Sequence, residues 1–375
     1  MHVDFICIAD DKGIRRERAN CIDIFRLPIE HRRGGTLAYA YEYSAFILAS
    51  TAIMAIRCLK CRYDLVYVHN MPDILIVSAL LPKVLGAKVI LDLHDPMPEL
   101  MSTIFDLEKD CFPVRLMKWI EKWSIARAHL VITVNAACKR IFAARSCPAE
   151  KIGVVMNAPD QDIFHCQGPT LHEARSDETQ KAFILMYHGS LVERNGLDLA
   201  VEALAQVRQS IPSVQLRVYG RKTPFLEQVM RNAGYMGLAD CVQYLGPKSL
   251  EQLVREIADC DVGIIPNQRS AFSEINTPTR IFEYLALGKP VIAPRAGGVC
   301  DYFDEQSLVL FELGNAKDLA DRIAHVFFHP VEVLETVRRG QAVCQKHNWP
   351  TERRRLTDLV AGVFCERIAQ VGADH

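Results

Sequence analysis

The stretch NTPTRIFEYLALGKPVIAP, residues 276–294, sets one carboxylate, Glu283, into a helical run that is otherwise almost entirely apolar. Thr277 suits a helix N-cap, its hydroxyl accepting from a backbone N–H. Pro278 suits the first helical position, where its missing N–H costs nothing. The free N–H groups and the positive end of the helix dipole would then face an anion such as phosphate. Glu283 follows on the stripe of Thr279 and Arg280 and has two readings. It is an exposed i,i+3 partner of Arg280, worth a few tenths of a kcal/mol, or it accepts from the sugar hydroxyls of a nucleotide whose phosphates lie at the helix start.

Other chemistry-bearing side chains stand just beyond apolar runs. DLVYVH ends at His69 and leads into Asn70; KVILDLH ends at His94 and leads into Asp95. LVITV is followed by Asn135, IGVVM by Asn157, FILMY by His188 and Gly189, and DVGII by Pro266 and Asn267. Ligands of open parallel sheets bind in the crevice beyond the carboxyl ends of the strands. Polar residues recurring there in both halves of the chain predict two crevices facing one another across an interdomain site.

The elements that must hold these residues are short Val-, Ile- and Leu-rich runs alternating with longer helical patterns, the signature of parallel sheets covered on both faces. The first half supplies HVDFICI, DLVYVH, KVILDLH, LVITVN and IGVVMN. The second supplies FILMYHG, LRVYG, DVGIIP, PVIAP and SLVLF, with a weaker VQYLG between. A polar join at 159–181, including HEARSDETQK, separates the halves. The 375 residues therefore divide into domains at 1–165 and 180–348, with a C-terminal helix at 349–375 that crosses back to the first domain.

Composition removes several alternatives. The net charge of −1 gives no general attraction to nucleic acid. Thirteen cysteines, an odd number, are too sparse for a disulfide scaffold, and the lone CLKC at Cys58 and Cys61 has no second pair for a metal site. AFILASTAIMAI, bounded by Glu42 and Arg57, is shorter than the ~20 residues needed to cross a bilayer and reads as a buried or interfacial helix. No GxGxxG follows a strand, which argues against a nicotinamide-dependent oxidoreductase. The reading is a cytoplasmic chain with no secretory signal.

The stretches NMPDILIVSALLPKVLGAKVILDLHDPMPEL, YHGSLVERNGLDLAVEAL and TPTRIFEYLALGKPVIA, in that order, resemble the retaining glycosyltransferases of family 4, in the branch that builds bacterial surface polysaccharides. The resemblance implies the GT-B fold, an α/β architecture of two facing Rossmann-like domains. It also implies a metal-independent hexosyltransferase using a UDP- or GDP-linked sugar donor and a glycan or lipid-linked acceptor, with no cofactor. By the same match Glu283 holds the nucleotide ribose and Glu274 contacts the donor sugar, although eight residues separate the pair where seven are usual. Asn276, Thr277 and Thr279 cradle the diphosphate together with Gly189, Ser190 and Asn195. Ser190 and Asn195 stand where many members carry Arg and Lys, so Arg194 or Arg280 is expected to supply the cation. His94 faces the donor sugar, with Asp95 beside it. The leaving phosphate itself takes the acceptor proton.

Family members normally begin with a strand, a glycine-rich loop and a helix ahead of the strand matched by HVDFICI. The chain is expected to lack this unit and to leave a sheet edge unpaired, as in a truncated form or an inactive binding subunit. FPVRLMKWIEKWSIARAHL, residues 112–130, mixes Trp119 and Trp123 with Arg115, Lys118, Lys122 and Arg127. It reads either as a helix packed on the first sheet or, with Arg32 and Arg33, as a peripheral contact to the anionic inner face of the plasma membrane.

Overall fold

The computed structural model describes residues 2–9, 16–29, 36–108, 110–169 and 182–371. Arg32, Arg33 and the HEARSDETQK stretch lie outside the described residues.

Among the described residues, thirteen strands form three sheets. β1 (Val3–Ile8), β2 (Arg16–Ala19) and β3 (Ile22–Leu27) make a small sheet in which β3 pairs parallel to β1 and antiparallel to β2. β4 (Leu65–His69), β5 (Lys88–Leu93), β6 (Leu130–Thr133) and β7 (Ile152–Val154) form a parallel sheet in sequence order. β8 (Phe183–His188), β9 (Val214–Tyr219), β10 (Val242–Tyr244), β11 (Val262–Ile264), β12 (Val291–Arg295) and β13 (Val309–Glu312) form a six-stranded parallel sheet, ordered β10-β9-β8-β11-β12-β13.

Two points differ from the sequence reading. HVDFICI does not join DLVYVH and the later first-half strands in one sheet: among the described residues β1 pairs only with β3 and β4 only with β5, in separate sheets. The sequence reading also assigns no strand to RERA or IDIFRL. Their short polar–apolar mixture is stabilised by pairing, β3 with β1 and β2 with β3, and Arg26 on β3 meets Glu17 on β2 at 2.7 Å.

Burial follows the apolar runs. Every residue of β8 is buried, as a parallel strand covered on both faces requires. Helices pack on the two faces of the six-stranded sheet, one core built around Leu185, Leu204 and Val218 and the other around Met186, Phe282 and Tyr284. One face of the β4–β7 sheet is closed by Ile125 and Phe142. The other is closed by the C-terminal helix Trp349–Val371, through Leu356, Leu359, Val360 and Val363. A Cβ at position 153 would lie 2.5 Å from Leu359 Cδ1, so Gly153 lets this helix approach β7. The fully buried Glu352 pins the same helix, accepting from Met156 N at 3.0 Å and meeting His347 and Arg355 at 3.1 and 2.9 Å.

Among the described residues no helix is long and apolar enough to cross a membrane. AFILASTAIMAI lies in the helix Thr36–Cys58, which runs half-buried along the first part of the chain. Cys58 closes that helix and Cys61 lies beyond it, so CLKC does not continue as one helical pattern. The thirteen cysteines are all free thiols.

Candidate active site

The carboxyl ends of the two larger sheets face one another, and Asn135 joins them. Fully buried after β6, it caps the helix Ala136–Arg145 by accepting from Cys138 N at 2.7 Å. Its amide donates in the other direction, to Ile275 O at 2.9 Å and to Thr277 Oγ1 at 3.1 Å. Ala136 N donates to Tyr302 OH at 2.9 Å, and Phe272 N to Thr103 Oγ1 at 3.3 Å. A crevice of about 490 Å³ opens along this junction, lined by Thr103, Asp106, Glu193, Arg194, Gln268 and Arg269 among others. A larger groove of about 830 Å³ lies at the opposite, amino ends of β6 and β7, beside His129 and Lys151. It is remote from every residue singled out for chemistry.

In the six-stranded sheet the chain order reverses between β8 and β11. That switch point is where an open parallel sheet leaves a ligand crevice. His188 ends β8 and Gly189 follows it. The loop beyond is tied to the loop after β11, with Gln268 N donating to Arg194 O at 3.1 Å. Gly196 makes this approach possible: its φ is +70°, and a Cβ there would fall 1.8 Å from Pro266 O. Asn195 Nδ2 donates to Ser190 O at 2.8 Å, folding the 189–195 loop on itself.

The start of the signature helix differs from expectation. The helix runs Arg280–Ala286, with Thr279 at the N-cap and no side-chain capping bond. Thr277 does not cap, because its hydroxyl is spent across the junction: it donates to Gly298 O at 2.6 Å and accepts from Asn135. The exposed Glu283–Arg280 pair is also absent. Arg280 turns back, donating from Nη1 to His188 O at 2.7 Å, with its guanidinium over the Tyr187 ring at 4.9 Å. Gly189, beside it, has φ +127°, a backbone conformation that favours glycine.

Glu283 is left largely enclosed, its side chain 17% exposed, with His188 Nε2 3.3 Å from Oε2. That nitrogen has no hydrogen-bond partner. Burial pushes the Glu283 carboxyl up to about 7, against the pull of Arg280. Burial and then Arg280 push His188 down to about 3, so the imidazole is neutral at physiological pH. Glu274 lies at the rim, paired with Arg269 at 3.1 Å, while its carbonyl accepts from Gly298 N. Asn276 and Thr279 are half-buried beside it.

Across the junction, the register of β4 and β5 sets His69 opposite Asp92, and the two-residue period of a strand puts His94 on the same face. His69 Nδ1 and His94 Nε2 are 3.1 Å apart, and each lies 3.3 Å from Asp92 Oδ2. Tyr67 donates to the same oxygen at 2.9 Å. Burial opposes ionisation of Asp92, yet hydrogen bonds from His69 and His94 outweigh it and hold the carboxyl below the usual range. The bond to Asp92 raises His94 in turn. Asn70 orients the turn, its Oδ1 accepting from His94 N and its amide donating to Asp95 O. Burial raises the Asp95 carboxyl, countered by the charges of His94 and, from the other sheet, Arg194. The His69–Asp92–Tyr67 part of this cluster was not anticipated. Its signal was the pairing of two strand-end histidines, legible only with the register in hand.

Residues 1–158 match the family described as glycosyl transferase 4-like domain, and residues 182–327 that described as glycosyl transferases group 1. The chain belongs to this glycosyltransferase family, with the GT-B fold of two Rossmann-like units. It is 24% identical to the amylovoran biosynthesis glycosyltransferase AmsK of Erwinia amylovora over 63% of this chain and 56% of that protein. It is 28% identical to a GDP-mannose-dependent phosphatidylinositol monomannoside mannosyltransferase of Mycobacterium tuberculosis, over 62% of each chain. The chain thus spans about three-fifths of the length of these relatives. Among solved structures, sucrose-phosphate synthase from Thermosynechococcus elongatus superposes with a TM-score of 0.77 at 18% identity, covering 97% of this chain and 90% of that one. Anabaena HepE in complex with UDP-glucose superposes at 0.66 and 18% identity, covering 91% and 86%.

Proposed function

We propose that the protein is a retaining glycosyltransferase that moves a hexose from a UDP- or GDP-linked donor to a growing glycan. The observation that carries this is the enclosed Glu283 carboxylate at the β8–β11 switch point, with Arg280 drawn away to His188 O. A half-desolvated acceptor without its own donor suits ribose hydroxyls, and charge-assisted bonds of that kind are worth about 1.5–3 kcal/mol. Arg280 and Arg194 neutralise charge growing on the leaving diphosphate as the glycosidic bond breaks. Gly189, Ser190, Asn195, Asn276, Thr277 and Thr279 surround that diphosphate, and Glu274 meets the donor sugar. His94 and Asp95 approach the sugar from the opposite wall. The departing phosphate takes the acceptor proton on the face it leaves.

The domain division at 1–165 and 180–348, with 349–375 returning to the first unit, belongs to this reading. So does a surface polysaccharide as product, in line with the amylovoran and colanic acid relatives.

A lipid-linked acceptor at the inner face of the membrane is supported by the helix Phe112–Arg127. Trp123 packs inward under Arg127, but Phe112 and Trp119 are 75% and 60% exposed on a face shared with Leu116, Arg115 and Lys122. Aromatic and basic side chains together suit an anionic lipid interface. The test is transfer from UDP- and GDP-hexoses, with the anomeric configuration of the product read by NMR. A retained configuration supports the mechanism. An inverted product overturns it, and binding without turnover supports a non-catalytic subunit.

A further inference from the structure

Two clusters of potential metal ligands occur among the described residues. In one, His2, Asp4 and Asp23, the Asp4 carboxylate is already held by Arg57 and Tyr63. The other is His69, Asp92 and His94. We propose that His69 Nδ1, His94 Nε2 and Asp92 Oδ2 form a binding site for a zinc-type divalent cation on the first wall of the cleft, and that its occupancy shuts the enzyme off.

The geometry favours an ion over a structural knot of hydrogen bonds. The three atoms form a near-equilateral triangle with sides of 3.1, 3.3 and 3.3 Å. A tetrahedral ion about 2.0 Å from each ligand sets neighbouring ligand atoms about 3.3 Å apart. Two imidazoles and one carboxylate are a borderline donor set that selects zinc-like ions over calcium or magnesium, which prefer all-oxygen sites. The triangle is also supported from behind. Asn70 Oδ1 holds the backbone of His94, and Tyr67 steadies Asp92 while its ring lies 4.8 Å from that of His69. Such supporting bonds are what fix ligand orientation in metal sites. The His69 and His94 side chains are 53% and 42% exposed, which leaves the remaining coordination position open to solvent in the cleft.

The metal binding stands independently of the transferase reading; only the consequence for turnover rests on it. His94, once ligated, can no longer turn toward a donor sugar, so the ion acts as an inhibitor and the metal-free protein is the active form.

The experiment is a cobalt titration of full-length, chelator-treated, reduced protein, read in the visible spectrum, with zinc competition by calorimetry. One equivalent with d–d bands but no thiolate charge-transfer band is expected, displaced by zinc. Losing one of the three ligands in His69→Ala or His94→Gln is expected to weaken uptake by at least the roughly 10–100-fold that lost outer-shell partners cost. Circular dichroism reports that each variant is folded. No nitrogen-type uptake by the wild type at micromolar cobalt, or unchanged uptake in both variants, overturns the site. If uptake follows the triad but zinc leaves turnover unaffected, the site stands and the inhibitory role is overturned.

Discussion

Arg280 Nη1 donates to the carbonyl oxygen of His188 at 2.7 Å, although Glu283 stands one turn along the same helix. This bond closes the gap between the end of β8 and the signature helix. It holds the guanidinium at the start of that helix and withholds a cation from Glu283. The site's electrostatics follow from that arrangement.

With its carboxyl at about 7, Glu283 titrates in the working range. On the proposed reading the ionised form accepts from ribose hydroxyls, so donor affinity should strengthen as pH rises through 7. From pH 6 to pH 8 the ionised fraction grows about tenfold, and the donor Kd should tighten by about that factor. Calorimetry at the two pH values checks this, and Glu283→Gln should show a weaker, flat profile.

The same shift burdens the empty protein. A carboxyl raised from 4.5 to about 7 favours folding below its unfolded value and loses that contribution as pH rises through 7. Glu283→Gln should therefore raise stability at pH 8, by on the order of 1–3 kcal/mol, and change it little near pH 4.5. Thermal unfolding reads the difference as a higher Tm for the variant at pH 8 only. Equal Tm for the two proteins at both pH values would mean the carboxylate already has a partner.

Arg194→Ala and Arg280→Ala should each lower kcat, by about 10²–10³-fold where the arginine meets the leaving diphosphate. Arg280→Ala should also lower Tm, since it frees His188 O. Full turnover in both variants would assign the diphosphate to another cation.

Asn135→Ala removes a helix cap and two bonds across the junction at once. Loss of the cap alone costs about 1 kcal/mol; Ile275 O also loses its donor, and Thr277 Oγ1 keeps only its bond to Gly298 O. A lower Tm with a higher donor KM is expected in thermal unfolding and steady-state kinetics.

The exposed face of Phe112–Arg127 should bind vesicles containing anionic lipid at low salt. Arg115→Glu with Lys122→Glu should weaken co-sedimentation, each basic residue contributing about 1 kcal/mol near such a surface, and Trp119→Ala should weaken it independently of salt. Indifference of the wild type to these vesicles would favour a soluble acceptor.

Much of the architecture could be read from the chain, because buried parallel strands such as FILMYH are uninterrupted apolar runs. The polar residues at their carboxyl ends identified the cleft for the same reason. What escaped was non-local. Thr277 has the residue type of an N-cap, but a buried Asn135, 142 positions earlier, claims its hydroxyl. Glu283 and Arg280 have the spacing of an ion pair, yet the carbonyl of His188 is the nearer acceptor for the arginine. His69 gained meaning only when the β4–β5 register set it against Asp92. β2 and β3 were missed because RERA and IDIFRL lack the length and purity of the other runs, and pairing of β3 with β1 and of β2 with β3 supplies what their composition does not.

The most direct measurement is release of nucleoside diphosphate from UDP- and GDP-hexoses, with EDTA present, by the wild type and by Glu283→Gln. Steady release by the wild type, reduced together with donor affinity in a fully folded Glu283→Gln, is the predicted result. Release by Glu283→Gln at the wild-type rate, or wild-type turnover that needs an added divalent ion, would contradict the account.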